Sequence, residues 1–312
     1  MKIGVIGIGS WGTRVAREYV ALMNEGIIDS VILCDTDNSR LRPFADVAVT
    51  SNKLDEVIRR ADGVHICTPN STHYEIAKKV VESGIHVLVE KPMTTDHNQA
   101  YELVEIATAE NLILQVGHIY RFANAIRKTK ELYEKSYFGD VYYFNLTWTH
   151  LMPYMENVDI LWDLLPHPLD ILNFITKKWP VEFVGVGRAF RRSKLNEVSS
   201  LQAIFDNGIF ANIHLSWLSP IRRRILEIVG SKRTALVECV KQEIRIFEGN
   251  EEKFLEIEVN NTIRDEALNF IRAIETGKNN FNSSIVGARN VEMTEKAISC
   301  LLYTSPSPRD RG

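Results

Sequence analysis

Four cysteines in 312 residues are too few and too scattered to staple a fold. Cys34, Cys67, Cys239 and Cys300 form no C-x-x-C pair, which excludes a paired-cysteine zinc motif and a disulfide framework. Two of them stand in apolar, strand-like runs, as reduced core thiols do in a cytoplasmic protein. No run approaches the roughly 18 apolar residues of a membrane-spanning helix. Only Lys2 precedes the first apolar run, so no signal peptide is expected and no membrane partner is implied. Basic excess is missing too. The net charge is -3, which leaves no global field for nucleic acid. On this reading Arg222, Arg223 and Arg224 form a strand edge or subunit contact. There is no G-x-S-x-G, no Walker-type lysine, no internal repeat and no long low-complexity stretch.

What the chain does have is an ordinary globular balance, 45% hydrophobic and 25% charged, at a length that suggests two domains. Lys2–Ile6 is a short apolar run and reads as a buried strand. Gly7, Gly9 and Gly12 follow in G-x-G-x-x-G spacing, and residues 13–23 read as a helix. Each glycine then has a task. Gly7 makes the tight turn, Gly9 lets a pyrophosphate approach the backbone, and Gly12 lets helix and strand pack closely, while the helix N-terminus faces the phosphates. A plain structural turn is the alternative. A second apolar run, Ser30–Cys34, ends in Asp35, where a dinucleotide fold places the carboxylate for the adenosine ribose. Asp35 and Asp37 together repel a 2′-phosphate, which favours NAD over NADP; Arg40 and Arg42 soften that preference. The plainer role for Asp35 is to cap the next turn.

Short strands at 46–50, 63–67, 86–89 and 112–116 alternate with helical patterns at 52–60, 74–82 and 96–110. The alternation predicts an α/β fold, a doubly wound parallel Rossmann sheet over residues 1–119. The strand ends, where ligands bind in such folds, carry Thr68, Pro69, Asn70 and His73, then Glu90, Lys91 and Pro92, then His118 and Arg121. His73 and His118 line the cofactor cleft or are simple polar loop residues. A charged Lys91 is costly there without a task or partner; a solvated strand end is the plainer alternative. The Lys91-Pro92 bond is a candidate cis peptide.

From residue 120 the pattern changes. A polar amphipathic helix at 121–134 is followed by strands at 141–149, 181–188, 199–205, 210–217, 224–229, 235–240 and 243–247, with helices at 162–175, 264–276 and 290–298. Asn207-Gly208 marks a hairpin. This predicts an α+β domain over 120–299 with a large, mainly antiparallel sheet. Tyr142, Tyr143, Phe144 and Trp148 read as sheet core or interface rather than a substrate platform. Asp163, His167 and Asp170, four and three apart, share one helical face if the helix runs regularly past Pro166 and Pro168. A carboxylate beside an imidazole orients a general base and holds its tautomer. A capping pair or a zinc site are the alternatives; no further His/Cys cluster supports zinc, and no metal is expected. Residues 304–312 lack an apolar pattern, and the stretch from about Cys300 looks like translated adapter sequence, so 300–312 is expected to be non-native and disordered; a genuine flexible tail is the plainer alternative.

Together these motifs resemble the Gfo/Idh/MocA family of NAD(P)-dependent oxidoreductases, which includes inositol and sugar dehydrogenases. The resemblance runs from Lys2 to about Ser299. It rests on GVIGIGSWG, on ICTPNSTH ending at His73, on VEKP ending at Pro92, on the Asp163, His167 and Asp170 pattern, and on IRDEALNFIRAI beginning at Ile263. It implies an enzyme acting on CH–OH groups, with Lys91, Asp163 and His167 as its catalytic group. His167 would be the general base for a secondary alcohol, Lys91 would hold the hydroxyl, and Asp163 would orient the pair. The implied cofactor site is Gly7, Gly9, Ser10, Trp11, Gly12, Asp35, Thr68, Pro69, Asn70, His73, Glu90 and Lys91. The implied substrate site is Lys91, His118, Arg121, Asp163, His167 and Asp170, for a sugar, sugar nucleotide or cyclitol. The W-D-L-x-P-H context is similar to members acting on nucleotide-linked sugars. Leu165 stands where the family often has Gly, which bears on the substrate rather than the chemistry. Loops 151–159 and 191–198 would set pocket specificity. Homodimers or homotetramers through the open face of the second sheet are also implied. The alternatives are a non-catalytic NAD-binding regulator of the same fold, which has no need of the catalytic group, and an enzyme that recycles a tightly bound cofactor between two substrates.

Overall fold

The computed structural model describes residues 1–153, 158–191, 195–278 and 281–302. In it the first apolar run is a central strand of a six-stranded sheet. Strands β1 (Lys2–Ile6), β2 (Ser30–Cys34), β3 (Val49–Ser51), β4 (Gly63–Ile66), β5 (His86–Glu90) and β6 (Leu114–Gly117) lie in the order β3-β2-β1-β4-β5-β6. Every pairing is parallel. Most of these residues are buried on both faces, which is why they read as continuous apolar runs. Helices α1 (Ser10–Asn24), α2 (Asn38–Leu41), α3 (Leu54–Ile58), α4 (His73–Glu82) and α5 (His97–Ala109) make the crossovers. The strand order reverses between β1 and β4, the switch point at which doubly wound sheets bind ligands.

The chain divides into two compact units, Met1–Phe122 with Asn261–Glu292, and Ala123–Asn260 with the residues from Met293. The first boundary lies close to the expected 119/120. The expected second domain of 120–299 is corrected, because α9 (Thr262–Thr276) and the first half of α10 (Ser284–Ser299) belong to the first unit. The reason is packing: Ala267, Phe270, Ile271 and Ala273 of α9 are buried in one apolar cluster with Ile3, Val5, Tyr19 and Leu22. Gly63 makes room for that helix, since a Cβ there would lie 2.7 Å from Ile274 Cδ1.

In the second unit nine strands form one sheet: β7 (Val141–Thr149), β8 (Glu182–Arg188), β9 (Val198–Ile204), β10 (Phe210–Ser216), β11 (Arg223–Gly230), β12 (Thr234–Glu238), β13 (Glu243–Glu248), β14 (Glu251–Leu255) and β15 (Leu301–Leu302). Their order is β14-β13-β12-β11-β7-β10-β9-β8-β15, antiparallel except for β7 with β10 and β8 with β15. Asn207 and Gly208, with φ +80° at the glycine, join β9 to β10 as expected. One face is apolar, with Phe144, Leu146 and Trp148 buried. It packs against α6 (Asn124–Glu134) and α7 (Ile160–Leu164), and α8 (Pro166–Thr176) packs on α6. The other face carries a polar ladder: Asn145 donates to Glu227, Asn212 donates to Asn145 Oδ1 at 2.9 Å, and Gln202 donates to Asn212 Oδ1 at 3.2 Å. Tyr143 stacks on Phe210 there, with centroids 5.6 Å apart.

Cys300, Leu301 and Leu302 correct the expected disordered tail. The two leucines pair in parallel with Gly185 and Val186, and Leu301 is buried. Two apolar residues suffice to add a short edge strand. Residues 303–312 lie outside the described residues, as do 154–157 and 192–194 of the two expected specificity loops. All four cysteines are free thiols. Among the described residues, no helix is long and apolar enough to cross a membrane.

Phe270→Ala tests the place of α9. The ring is fully buried in the first unit's core, so its loss costs about 3–5 kcal/mol in urea unfolding. A cost near zero would remove α9 from that core.

Candidate active site

The glycine loop is built by sterics. Gly7 has φ +90°, and a Cβ on it would meet the backbone of Cys67 and Thr68 at 2.8 Å. A Cβ on Gly12 would lie 1.8 Å from the Gly7 carbonyl oxygen. Gly9 differs, since a Cβ there meets nothing within 4 Å. The fold itself demands Gly7 and Gly12, whereas the openness at Gly9 leaves backbone approachable from outside. Helix α1 starts beside it with no side-chain cap and no acidic residue in its first turn. Its leading N–H groups and positive dipole end suit an anion. The loop therefore fits a dinucleotide pyrophosphate, with exposed Ser10 at the helix start.

Asp35 closes β2 and is buried. Its Oδ2 accepts the Ile8 N–H at 2.7 Å and its Oδ1 accepts the Asp37 N–H at 2.9 Å, so it braces the glycine loop. A carboxylate has further lone pairs, which leaves capacity for ribose hydroxyls. Arg40, half exposed, reaches Asp35 at 3.5 Å and Asp37 at 3.6 Å.

After β4, Thr72 donates its O–H to the Pro69 carbonyl at 2.7 Å and accepts from the Thr68 hydroxyl at 2.8 Å, folding the loop around exposed Pro69. His73 is fully buried rather than lining a cleft. Its Nδ1 lies 2.7 Å from the Pro92 carbonyl and its Nε2 2.8 Å from the Thr68 carbonyl. Each ring nitrogen faces a backbone carbonyl, and the neutral ring donates its single N–H to one of the two, tying the β4-end loop to the β5-end turn. Burial lowers its pKa below the ordinary imidazole value, although the two carbonyls and Glu90 pull it upward. Lys91, partly buried, precedes Pro92 through a cis peptide.

Glu90 is buried too, where its resemblance role was cofactor contact. Trp11 donates its indole N–H to Glu90 Oε1, and His65 Nε2 lies 3.2 Å from the same oxygen. His65, Cys67 and Glu90 present ligand atoms within 4.8 Å of one another. Burial and then nearby carboxylates push the Cys67 thiol well above its ordinary range, so it keeps its proton. His118 and Arg121, expected to face substrate, are buried in the first unit, and Arg121 donates to the Phe281 carbonyl at 3.3 Å.

The second unit holds Asp163, His167 and Asp170. Leu165, between α7 and α8, keeps helical dihedrals (φ -63°, ψ -33°), and the bonds Leu165 N–H to Leu161 and Leu169 N–H to Leu165 are each 3.1 Å. Pro166 takes the first position of α8, where its missing N–H costs nothing. Helical register is therefore continuous, and the three residues share a face. Asp163 Oδ2 accepts the Trp217 indole N–H at 3.1 Å. Asp159 caps α7 at the Leu161 N–H and accepts the Asn196 backbone N–H and side chain at 2.9 and 3.0 Å. Buried Glu197 accepts the Phe190 and Arg191 backbone N–H groups, and Arg191 Nη1 reaches the Met152 carbonyl at 2.7 Å. Sequence reasoning missed Trp217, Asp159 and Glu197. The only cue for Trp217 is an indole N–H at the end of an apolar strand.

Residues 1–118 match the family model described as an oxidoreductase family with an NAD-binding Rossmann fold, and residues 126–236 match the GFO/IDH/MocA C-terminal domain. UDP-N-acetylglucosamine 3-dehydrogenase of Acidithiobacillus ferrooxidans is 27% identical over 306 residues, 93% of each chain. Its solved structure is similar at TM-score 0.86 and 24% identity, covering 96% of this chain and 97% of that one. Levoglucosan dehydrogenase, solved with NADH and levoglucosan, has the same fold at TM-score 0.83 and 16% identity over 96% of each chain.

Two substitutions separate fold from binding. Gly12→Ala forces a clash and destabilises by several kcal/mol, on the order of 4. Gly9→Ala leaves the melting temperature unchanged but weakens NADH binding about tenfold, roughly 1.4 kcal/mol. Equal loss of stability in both would refute the distinction. His73 adds a pH signature. Its pKa is lowered on folding, so its contribution is present above the unfolded value near 6.5 and is lost as pH falls. Wild type loses stability below about pH 6.5 relative to His73→Gln, by at most about 1.4 kcal/mol per pH unit, in urea titrations at successive pH values. Parallel curves would contradict a buried neutral ring.

Proposed function

We infer the function from one premise: the chain belongs to the Gfo/Idh/MocA family of oxidoreductases. Its relatives include sugar and sugar-nucleotide dehydrogenases. The reading best supported is an NAD-dependent dehydrogenase acting on a secondary hydroxyl of a sugar, with a sugar nucleotide such as UDP-N-acetylglucosamine as the first candidate. The observation that carries it is the continuous helical face of Asp163, His167 and Asp170, kept in register through Leu165.

When bound, the nicotinamide cofactor supplies a two-electron hydride acceptor. Gly7, Gly9, Gly12 and the N-terminus of α1 hold its pyrophosphate, and Asp35 takes the ribose. His167 accepts the substrate hydroxyl proton as general base. Lys91 donates to the same oxygen and stabilises the alkoxide as the proton leaves. Asp163, its Oδ2 fixed by Trp217, orients His167 and balances the charge. Arg40 is engaged by Asp35 and Asp37, which supports NAD over NADP. A cytoplasmic location and a homodimer or homotetramer through the exposed face of the second sheet belong to the same reading; Val184 and Val186 stand exposed on that face.

The test is NAD reduction at 340 nm over UDP-N-acetyl sugars, UDP-uronates, free hexoses and inositols. Turnover with one class falls by about 10²–10⁴ in His167→Ala and in Lys91→Ala, while NADH still binds His167→Ala. Full turnover in His167→Ala would sink the assigned base. NADH binding with no turnover across the panel would move the chain to the non-catalytic reading or to an enzyme that recycles a tightly bound cofactor.

A further inference from the structure

Glu90 sits immediately before Lys91, yet the residue is only 8% exposed and its carboxylate is turned toward protein partners. Three elements converge on it. From the glycine loop, Trp11 donates its indole N–H to Oε1. From β4, His65 Nε2 approaches the same oxygen at 3.2 Å. From β6, Gly117 yields the space: a Cβ there would lie 2.8 Å from Oε2. Behind His65, the Tyr19 hydroxyl lies 3.5 Å from Nδ1, at the outer limit of a hydrogen bond. Tyr19 is fully buried, and burial followed by nearby carboxylates pushes its ionisation well up, so the phenol keeps its proton. Its hydroxyl lies at Nδ1, and Nε2 is the ring nitrogen that faces Glu90. Burial would raise the Glu90 pKa, but the His65 and Trp11 bonds and the Lys91 charge outweigh it, so the group is an anion. An anionic acceptor shared by two N–H donors in a buried setting is strong and fixes both donors.

We propose that Glu90 is a positioning residue for the cofactor, acting through Trp11 rather than by touching the cofactor itself. The indole stands between Ser10 and Gly12, so its bond to Glu90 holds the first turn of α1 where the pyrophosphate must dock. The same carboxylate belongs to the strand end that carries Lys91, so one acceptor holds the cofactor loop and the lysine turn in fixed relation. His65 backs the carboxylate, and Gly117 is small so that it fits. The inference rests on the dinucleotide-binding reading of the glycine loop and is independent of which substrate is oxidised.

A direct cofactor contact and action through Trp11 make opposite predictions in a double-mutant cycle. The measurement is NADH and NADPH affinity by nucleotide fluorescence, on the full chain, for wild type, Trp11→Phe, Glu90→Gln and the double variant, with thermal melts as folding controls. Action through Trp11 predicts that each single change raises the preferred cofactor's Kd about tenfold and that the double variant is no worse than the weaker-binding single. If Glu90 touches the cofactor, the two effects multiply to about a hundredfold, and the proposal fails. An unchanged Kd in either single variant overturns it as well. A spectroscopic reading accompanies the cycle. In the cofactor-free protein, the indole ¹H–¹⁵N resonance that disappears in Trp11→Phe moves upfield in Glu90→Gln, because the anionic acceptor is gone. No movement would deny the bond. Should Glu90→Gln fail to fold, His65→Gln replaces it in the cycle, with the same non-additivity expected and multiplying effects again fatal. If wild type binds neither nucleotide, the glycine-loop reading fails first, which a changed cycle with tight wild-type binding does not imply.

Discussion

Gly12 stands so close to the Gly7 carbonyl that a methyl group would sit 1.8 Å from the oxygen. The ligand end of the first unit depends on that approach. It brings the start of α1 down onto the switch point between β1 and β4, where sheet topology opens a crevice. It also sets the reach of neighbouring groups. Trp11 meets Glu90 because it occupies the turn that Gly12 presses inward, and Asp35 meets the Ile8 N–H because the loop returns across the end of β2. A larger residue at Gly12 lifts the helix and breaks both contacts, so the steric constraint comes before the electrostatics built on it.

The first sheet was legible because most of its strands are buried on both faces, and the runs of β1, β2, β4, β5 and β6 stop at glycine, a carboxylate or a Thr-Pro pair. In the second sheet β7, β9 and β10 were legible for the opposite reason, since one face is buried and alternation shows. Strand β14 was not, because Glu251–Leu255 is an exposed edge that buries almost nothing and carries no pattern. The greater miss was the unit to which α9 belongs. The helix's amphipathic face was plain, but periodicity says only that a face is covered and not by what. The partners are Ile3, Val5 and Tyr19 at the far end of the chain, and contiguity in sequence suggested the wrong unit.

Within the candidate site, the chemistry-bearing residues were legible and the groups that hold them were not. Asp163, His167 and Asp170 could be placed on one face by spacing alone, provided Pro166 sat at a helix start, where the structure has it. Trp217, which fixes Asp163, carries no motif. His73 and Glu90 show what residue type leaves open. Both stand at strand ends where ligands bind, and both are buried with protein partners. Buried polar groups must be hydrogen-bonded, by ligand or by protein, and residue type alone does not say which.

Asp35 shows why such double roles arise. Its two oxygens fix the Ile8 and Asp37 N–H groups, so the carboxylate cannot swing aside for an incoming anion. Arg40 lies near both Asp35 and Asp37, but it is half exposed and contributes little to holding them. On the proposed reading, a 2′-phosphate at this strand end would meet the fixed negative charge of Asp35. Replacing Asp35 by a neutral residue removes that repulsion, yet it also releases the Ile8 N–H, and with it the loop that must cradle the pyrophosphate. The proposed cofactor discrimination and the observed loop geometry would thus rest on one side chain, and a change there alters both.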